Sequence, residues 1–535
     1  MRFTRIIVQF LVYFILPCFF LGSALQPSHI PGAERSDVWN ALWSLHWFAE
    51  SVLDFDFSFQ TPLNHPTGGR LWPADLLHSL LILPLLPFFS IGTSYTVLCI
   101  CLHTLLGWAT HQWVCALQSK GHPLVPFVAG LALQSSSIVL VAIHNGSSEA
   151  MGGCWVVLAL WHFCVLVKHD KWQYRTTFWC VLAFWSSWYL ALVTGIYALA
   201  ILITHNRVSW RSPLISLSVA FILTCPLAWL SLEFSAGAGN LLRIKSPAAL
   251  EQVRRTVGGA EVLSYFWPTH RSPDFRFISR FGEQFVHSTY LGWGLILTVL
   301  SAWRHIPRWV WISGGLCFLL SLGPVLIIDA EPFVWDDRFA IPMPYFFIEN
   351  WPGFNHLSLL FRLAFGVQLA AILAMIYLQR PIRDWIIILA VVLSENIAHA
   401  TYQGVPQVTA LPPVSAVRLI ADEPDGGVAY YPHVAARPTL YLQLFHQKPV
   451  AAGLNFPHNA ASKRIWMTAL DAEHASDTQF KLKVAEAARK GQIRYLVLMI
   501  DPSAMPDVYR KAALRIRKAF GIYASDSSSD VVRFW

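Results

Sequence analysis

The sequence predicts a polytopic α-helical membrane protein, about 10–12 transmembrane helices followed by a small α/β C-terminal domain on the outer face of the membrane. Three observations predict it. Of 535 residues, 55% are apolar and only 13% charged, with a mean hydropathy of +0.47. A water-facing globular chain carries about 25% charged residues, roughly twice as many. Apolar stretches near the ~20 residues needed to cross the hydrocarbon core recur through the first 400 positions and then stop. The 24 Trp and 35 Phe accompany 39 Lys and Arg, as expected where rings sit at the headgroup boundary and basic residues flank spans. A soluble enzyme is excluded. The formal charge of +8 calls for no nucleic acid, because membrane proteins gather Lys and Arg in cytoplasmic turns.

Spans are read near 4–24, 74–91, 93–117, 123–143, 148–168, 211–231, 286–303, 308–328, 356–378 and 382–400. The stretch 176–204 is interrupted at Ser186-Ser187, so it is either one long tilted helix or two short ones meeting at the serines. The first stretch exceeds the 7–15 apolar residues of a signal peptide and reads as a retained anchor. Basic residues at Arg2/Arg5, Lys120, Lys168/Lys171/Arg175, Arg207/Arg211, Arg304/Arg308 and Arg380/Arg383 mark the cytoplasmic side. The segments 25–73, 233–285 and 329–355, the turn 144–149 and everything after about 401 then fall outside. With 25–73 outside and Lys120 inside, two full spans do not fit between them. The stretch 74–91, with Pro84 and Pro87, is therefore expected to be re-entrant, which is tolerated where backbone lines a protein cavity.

Residues 1–400 thus form the transmembrane domain and 401–535 a soluble one. In the latter Val428–Pro432, Tyr495–Ile500 and Val531–Trp535 read as buried strands and 480–490 as a helix. All nine cysteines lie in apolar stretches and none in the outer loops or tail. A domain without disulfides suits a bacterial envelope, and the protein is read as a multi-pass protein of the bacterial inner membrane with its C-terminal domain extracytoplasmic.

Ionisable groups at membrane depth are costly, so the few present are candidates for function. Glu34 and Asp37 follow the first span, three residues apart, close enough to point into one site if that turn is helical. From these residues alone Asp37 reads equally as a helix cap and as an acid/base group. The helix that follows, 38–53, carries Trp39, Trp43 and Trp47 at i, i+4, i+8 and a His46/Glu50 pair, and is expected to lie flat at the interface. The next loop supplies His65 and Arg70, the turn 144–149 supplies His144, Asn145 and Glu149, and the outer loop 233–285 supplies His270 and Arg271. Arg362 stands inside the apolar run 357–378, where a cavity or a phosphate is a better neighbour than lipid. Carboxylates with Arg, His and aromatic loops on one face fit group transfer from a lipid-linked phosphate, in which a carboxylate takes the acceptor's proton and cations hold the departing phosphate. The same inventory fits a transporter with a polar midplane site.

The order of segments resembles the GT-C superfamily of polytopic glycosyltransferases, in its bacterial group with a soluble C-terminal domain. The elements are Glu34 and Asp37 with Trp39 after the first span, Asn64-His65-Pro66-Thr67-Gly68, Tyr290-Leu291-Gly292, Leu322-Gly323-Pro324, Ile341-Pro342-Met343-Pro344-Tyr345, Phe361-Arg362-Leu363-Ala364-Phe365, and Tyr441-Leu442-Gln443-Leu444-Phe445-His446-Gln447-Lys448-Pro449. The resemblance implies transfer of a sugar from a polyprenyl-phosphate-linked donor to an envelope glycan, lipid or protein acceptor on the outer face. Carried over by position, Asp37 is the base, Glu34 its neighbour and Glu149 a second carboxylate near the acceptor. Arg362, Arg271 and His270 are candidates for holding the lipid phosphate, of which only Arg362 has a motif match; His144, Asn145, His65 and Arg70 are expected to contact substrate. Asp37 sits in Arg35-Ser36-Asp37-Val38 rather than a Gly-Asp pair, and Glu149 has no Asp beside it, so a divalent cation is admitted but not required. The competing readings are a flippase or transporter of lipid-linked glycans and a non-catalytic envelope-assembly protein with the same fold.

Overall fold

The computed structural model describes residues 2–34, 36–72, 75–118, 122–169, 173–205, 210–236, 251, 254–255, 258–267, 286, 288–328, 331–336, 339–351, 353–378, 380–403, 406–431, 438–453, 459–499, 507–527 and 529–535. The chain forms two compact units. One comprises Met1–Ala33, Ala74–Trp229 and Lys245–Thr409, the other Glu34–Pro73, Leu230–Ile244 and Ala410–Trp535. The segment that follows the first span thus belongs with the tail rather than with the helices it interrupts.

The first unit is helical. Among the described residues, six helical stretches are long and apolar enough to cross a membrane: Ile6–Leu25, Ile91–Leu117, Val125–His144, Ser148–His169, Arg211–Leu230 and Leu360–Tyr377. Trp188–Thr204 and Trp293–Ala302 are shorter apolar helices. The stretch 74–91 is no span: its helix, Leu76–Ile82, stops before Pro84 and Pro87. The next helix, Ile91–Leu117, is long and apolar enough to cross. Residues 176–204 form two helices, Tyr174–Ser186 and Trp188–Thr204, with Ser187 extended between them (φ −164°, ψ 137°). The stretch read as starting at 286 becomes helical only at Trp293, after Gly292 at φ +88°, and the next helix is Arg308–Ser321.

Lipid offers no hydrophobic drive between helices, so they are tied by close backbone approach and by polar side chains. Gln9 Nε2 donates to His111 Nε2 (3.0 Å) and Tyr13 shares a bond with His111 Nδ1 (2.9 Å), linking the first span to Ile91–Leu117. Gln134 Nε2 donates to the carbonyls of Tyr13 (3.0 Å) and His103 (2.8 Å), while His103 Nε2 donates to the Gln134 carbonyl (2.6 Å). Helix Val125–Gln134 ends there and restarts as Ser137–His144, whose Ser137 hydroxyl donates to the Tyr290 carbonyl (2.7 Å).

The second unit carries a four-stranded mixed sheet with the strands Ala524–Ser525, Ser529–Arg533, Ile493–Met499 and Gly427–Tyr431 side by side in that order. Ile493–Met499 runs parallel to Gly427–Tyr431 and antiparallel to Ser529–Arg533. Helices Ala460–Asp471, Asp477–Lys490 and Asp507–Phe520 bury Ile465, Trp466, Phe480, Val484 and Ile516 against Leu496, Leu498 and Val532. Helix Val38–Leu53 forms where its pattern predicts, but its tryptophan stripe faces protein: Trp39 and Trp43 are fully buried. Trp39 meets Tyr441 (ring centroids 5.9 Å apart) and Trp43 Nε1 donates to Gln443 Oε1 (2.7 Å), both on helix Thr439–His446. An apolar stripe of this spacing is read as lipid-facing only when no partner helix is known, and here one covers it.

Candidate active-site residues

In the first unit Glu149 begins as one of a 3₁₀ turn, Ser148–Gly152, that opens the span to His169. Arg362 sits in a matching 3₁₀ turn, Leu360–Leu363, so it lies at the mouth of its span rather than within it. Arg362 Nη1 donates to Glu149 Oε1 (2.5 Å) and Nη2 to Ser147 Oγ (3.2 Å). The guanidinium lies 5.4 Å from the Tyr189 ring centroid, within cation–π range. Tyr189 is fixed in turn, its hydroxyl accepting from the Ser358 (2.9 Å) and Leu359 (2.8 Å) amides that lead into the Arg362 turn. Beside the pair opens a pocket with Asn145, Ser147, Tyr189 and Arg362 at its polar part and Ile138, Leu190 and Phe365 along its apolar part.

Glu149 is held from behind. The Ser186 hydroxyl donates to its carbonyl (3.3 Å), at the helix break left open in the sequence. A buried dyad the sequence did not signal supports the same helix: Asp75 caps Leu76–Ile82 and Asp75 Oδ2 accepts from His78 Nδ1 (2.7 Å), so Nε2 accepts from Trp155 Nε1 (3.2 Å).

His144 and Asn145 are engaged with the backbone around the turn. His144 is buried, with its carbonyl accepting from the Ala33 amide (2.8 Å). Asn145 clamps one residue's backbone, its Nδ2 donating to the Val286 carbonyl (2.7 Å) and its Oδ1 accepting the Val286 amide (2.9 Å). An amide engaged on both atoms braces the turn that carries Ser147 and Glu149. His270 and Arg271 lie outside the described residues.

In the second unit, Glu34 is exposed and Asp37 half-buried, on the turn before helix Val38–Leu53. The Trp39 indole pins this turn by donating to the Glu34 carbonyl (2.6 Å). Asp37 occupies the cap position, yet its side chain accepts no helix amide; Oδ1 takes the Asn40 side-chain amide instead (2.8 Å). The capping reading therefore loses its main physical support. His65 is seated by Nε2 donating to the Gln492 carbonyl (3.0 Å) and its amide donating to Val450 (2.9 Å), while Arg70 is exposed on a two-stranded ribbon with Gln60–Thr61. Among the described residues no three His, Cys, Asp or Glu converge as metal ligands.

No protein-family model matches the chain, and no curated protein matches it. Solved structures do. Over 99% of its length the chain matches the mycobacterial arabinofuranosyltransferase AftD at 15% identity and a TM-score of 0.59, covering 40% of that protein. An R1389S mutant of AftD matches over 98% of the chain at 15% identity and a TM-score of 0.53, with 41% covered. The oligosaccharyltransferase AglB of Archaeoglobus fulgidus, solved with an inhibitory peptide and a dolichol-phosphate, gives 12% identity over 95% of the chain and 71% of AglB, with a TM-score of 0.47. The chain spans about two fifths of the length of the AftD structures it matches. At this identity the likeness is one of fold.

Proposed function

We propose that the chain is a membrane glycosyltransferase that moves a sugar from a polyprenyl-phosphate-linked donor to an envelope glycan, lipid or protein acceptor on the outer face of a bacterial inner membrane. The observation that carries the reading is the fold shared with an arabinofuranosyltransferase across 99% of the chain. Asp37 is the proposed base. Its carboxylate is partly accessible, stands on a turn pinned by Trp39 and is not spent on capping, as a group that must take a proton from an acceptor hydroxyl requires. Arg362 is a cation at an apolar pocket, where charge stabilisation of a departing lipid phosphate is stronger than in water. Glu149 holds that guanidinium in place and Glu34 is the neighbour of the base.

The test is a transfer assay with the purified full-length protein in nanodiscs, given radiolabelled pentose and hexose donors on undecaprenyl phosphate together with envelope extracts as acceptor. Label moving into acceptor supports the reading. Donor carried across the bilayer of a liposome with no glycosidic bond broken would instead establish a flippase.

A further inference from the structure

The sheet of the second unit has one end where three strands meet. Ile493–Met499 runs parallel to Gly427–Tyr431, with Ile493 paired to Gly427, and antiparallel to Ser529–Arg533, with Tyr495 paired to Arg533. The starts of two strands and the finish of a third therefore share an edge. Asp425 and Gly426 lead into the first, Gln492 into the second, and Trp535 follows the last, where the Phe534 amide donates to the Arg494 carbonyl (2.9 Å). Helix Asp477–Lys490 brings Arg489 to the same place, because only Gly491 and Gln492 join it to Ile493–Met499. His65 closes one side, its ring so near Gly427 that a Cβ there would collide with it, and its Nε2 on the Gln492 carbonyl (3.0 Å). These residues and Pro449 line a cleft of about 880 Å³, and small-ligand sites span about 300–1,000 Å³.

The groups at the cleft are free to meet a ligand. Among the described residues the Arg489 guanidinium and the Gln492 carboxamide have no partner, and both side chains are exposed. Gln492 keeps a left-handed backbone (φ +54°) that glycine would adopt without strain. The Asp425 carboxylate is fully exposed, and its cation Lys448 (3.4 Å) is already held by the Glu423 carbonyl (2.7 Å). Trp535 is 39% exposed and rests on Phe534, ring centroids 6.4 Å apart. A ring face carries negative charge density and attracts the C–H face of a sugar. A carboxylate and an amide bond sugar hydroxyls, and a guanidinium takes a carboxylate or phosphate through two parallel hydrogen bonds.

The surrounding charge has the same sign. Helices Ala460–Asp471, Asp477–Lys490 and Asp507–Phe520 carry 11 Lys or Arg against four Asp or Glu. The bias that retains basic residues in cytoplasmic turns gives no reason for this excess in a domain proposed to lie outside. Lys463 and Arg464 are exposed on the first turn of Ala460–Asp471, and that turn reaches the cleft: a Cβ on Gly491 would stand 3.1 Å from Ala461 Cβ. Such a field draws in polyanions. A bilayer surface is anionic too, but it is flat and does not enter a cleft, whereas a saccharide chain does.

We propose that this cleft binds an anionic saccharide chain, with a carboxylate or phosphate on Arg489 and a sugar ring on Trp535, and that the acceptor is therefore an acidic glycan. This rests on the reading of the chain as a glycosyltransferase, whose proposed base Asp37 belongs to the same unit.

The experiment measures, by fluorescence anisotropy, binding of labelled oligosaccharides to the full-length protein in phosphatidylcholine nanodiscs. Two pairs are compared: hexagalacturonate with its neutral methyl ester, and phosphopentamannose with pentamannose. The parent is expected to prefer the charged member of at least one pair by about tenfold, and the preferred pair tells carboxylate from phosphate. Arg489→Gln, at an exposed position, keeps the parental stability and removes the preference. Trp535→Ala weakens charged and neutral members alike by about fivefold. Lys511→Gln, beside Glu473 past the far end of helix Ala460–Asp471, stays within about twofold of the parent. A parent without preference in either pair overturns the proposal, as does parental preference in Arg489→Gln. An equal loss in Lys511→Gln shows diffuse attraction and removes the cleft. Displacement of the charged sugar by sugar-free polyphosphate or by phosphatidylglycerol vesicles at equal charge removes the saccharide. A parent that binds the acidic sugars but transfers no label to any acceptor sinks the glycosyltransferase reading and leaves the cleft a glycan site; transfer without preference for acidic acceptors sinks the acceptor assignment alone.

Discussion

Glu149 and Arg362 lie 213 positions apart in the chain and close a 2.5 Å ion pair whose side chains are only 26% and 12% exposed. Breaking one member of such a pair leaves the other partly buried and uncompensated, which costs more than removing both. Glu149→Gln and Arg362→Gln are each expected to lower the thermal stability of the protein in detergent. The double variant should recover part of the loss, with a coupling of about 1–3 kcal/mol; additive losses would mean the two charges do not interact. In the tail, His446 is buried, Nδ1 accepting from the Lys448 amide (3.0 Å) and Nε2 bonding Tyr430 (2.8 Å). Burial, reinforced by the Lys448 charge, pulls it down to about 3 from the ordinary 6.5. A group depressed in the fold contributes stability above its unfolded value and loses it as the pH falls. The protein should therefore weaken by about 1.4 kcal/mol per pH unit from pH 6.5 towards pH 3 on this account. His446→Gln is expected to flatten that slope in acid-unfolding curves, and an unchanged slope would place the sensitivity elsewhere. At this scale the sequence shows the carboxylates because acids are so few. It does not show the Asp75–His78 pair, whose importance comes from burial, which residue spacing does not record.

Helices followed hydropathy closely, and the departures have local causes. Gly292 at φ +88° delays one span, and Pro84 and Pro87 stop another. Ser187, extended between two helices, resolves 176–204 into a broken pair, a choice that apolar content alone leaves open. The tail strands lie within a residue or two of their expected positions because β-branched runs of that length have few other uses. The two-residue ribbons between 327 and 340 carry no periodicity and went unseen. Close helix approach is also hidden in sequence: a Cβ on Gly130 would stand 2.6 Å from the Gly107 carbonyl oxygen and 2.7 Å from Tyr13 Oη. Gly130→Leu should therefore separate helices Ile91–Leu117 and Val125–Gln134 and cost about 1–3 kcal/mol, read as a lowered unfolding temperature in detergent. An unshifted transition would show that these helices are not packed as described.

For the whole molecule, composition and charge placement were enough to name the class, and the fold confirms it without reference to any close relative. What composition could not reach is the grouping of residues 34–73 with the tail, since that depends on contacts such as Trp43 with Gln443, 400 positions away. The proposed sidedness is open to direct measurement. Asp425, with a fully exposed side chain, changed to Cys should react with a membrane-impermeant maleimide in intact cells, and exposed His169 changed to Cys should react only after lysis. The reverse pattern would invert the topology. The central claim is that Asp37 is the base of a sugar transfer and not a helix cap. Asp37→Asn keeps the shape and the hydrogen bond to Asn40 but cannot take a proton. Transfer of radiolabelled sugar from undecaprenyl phosphate by the purified variant, compared with the parent at equal stability, should fall by about 10²-fold or more; transfer at the parental rate would contradict the account.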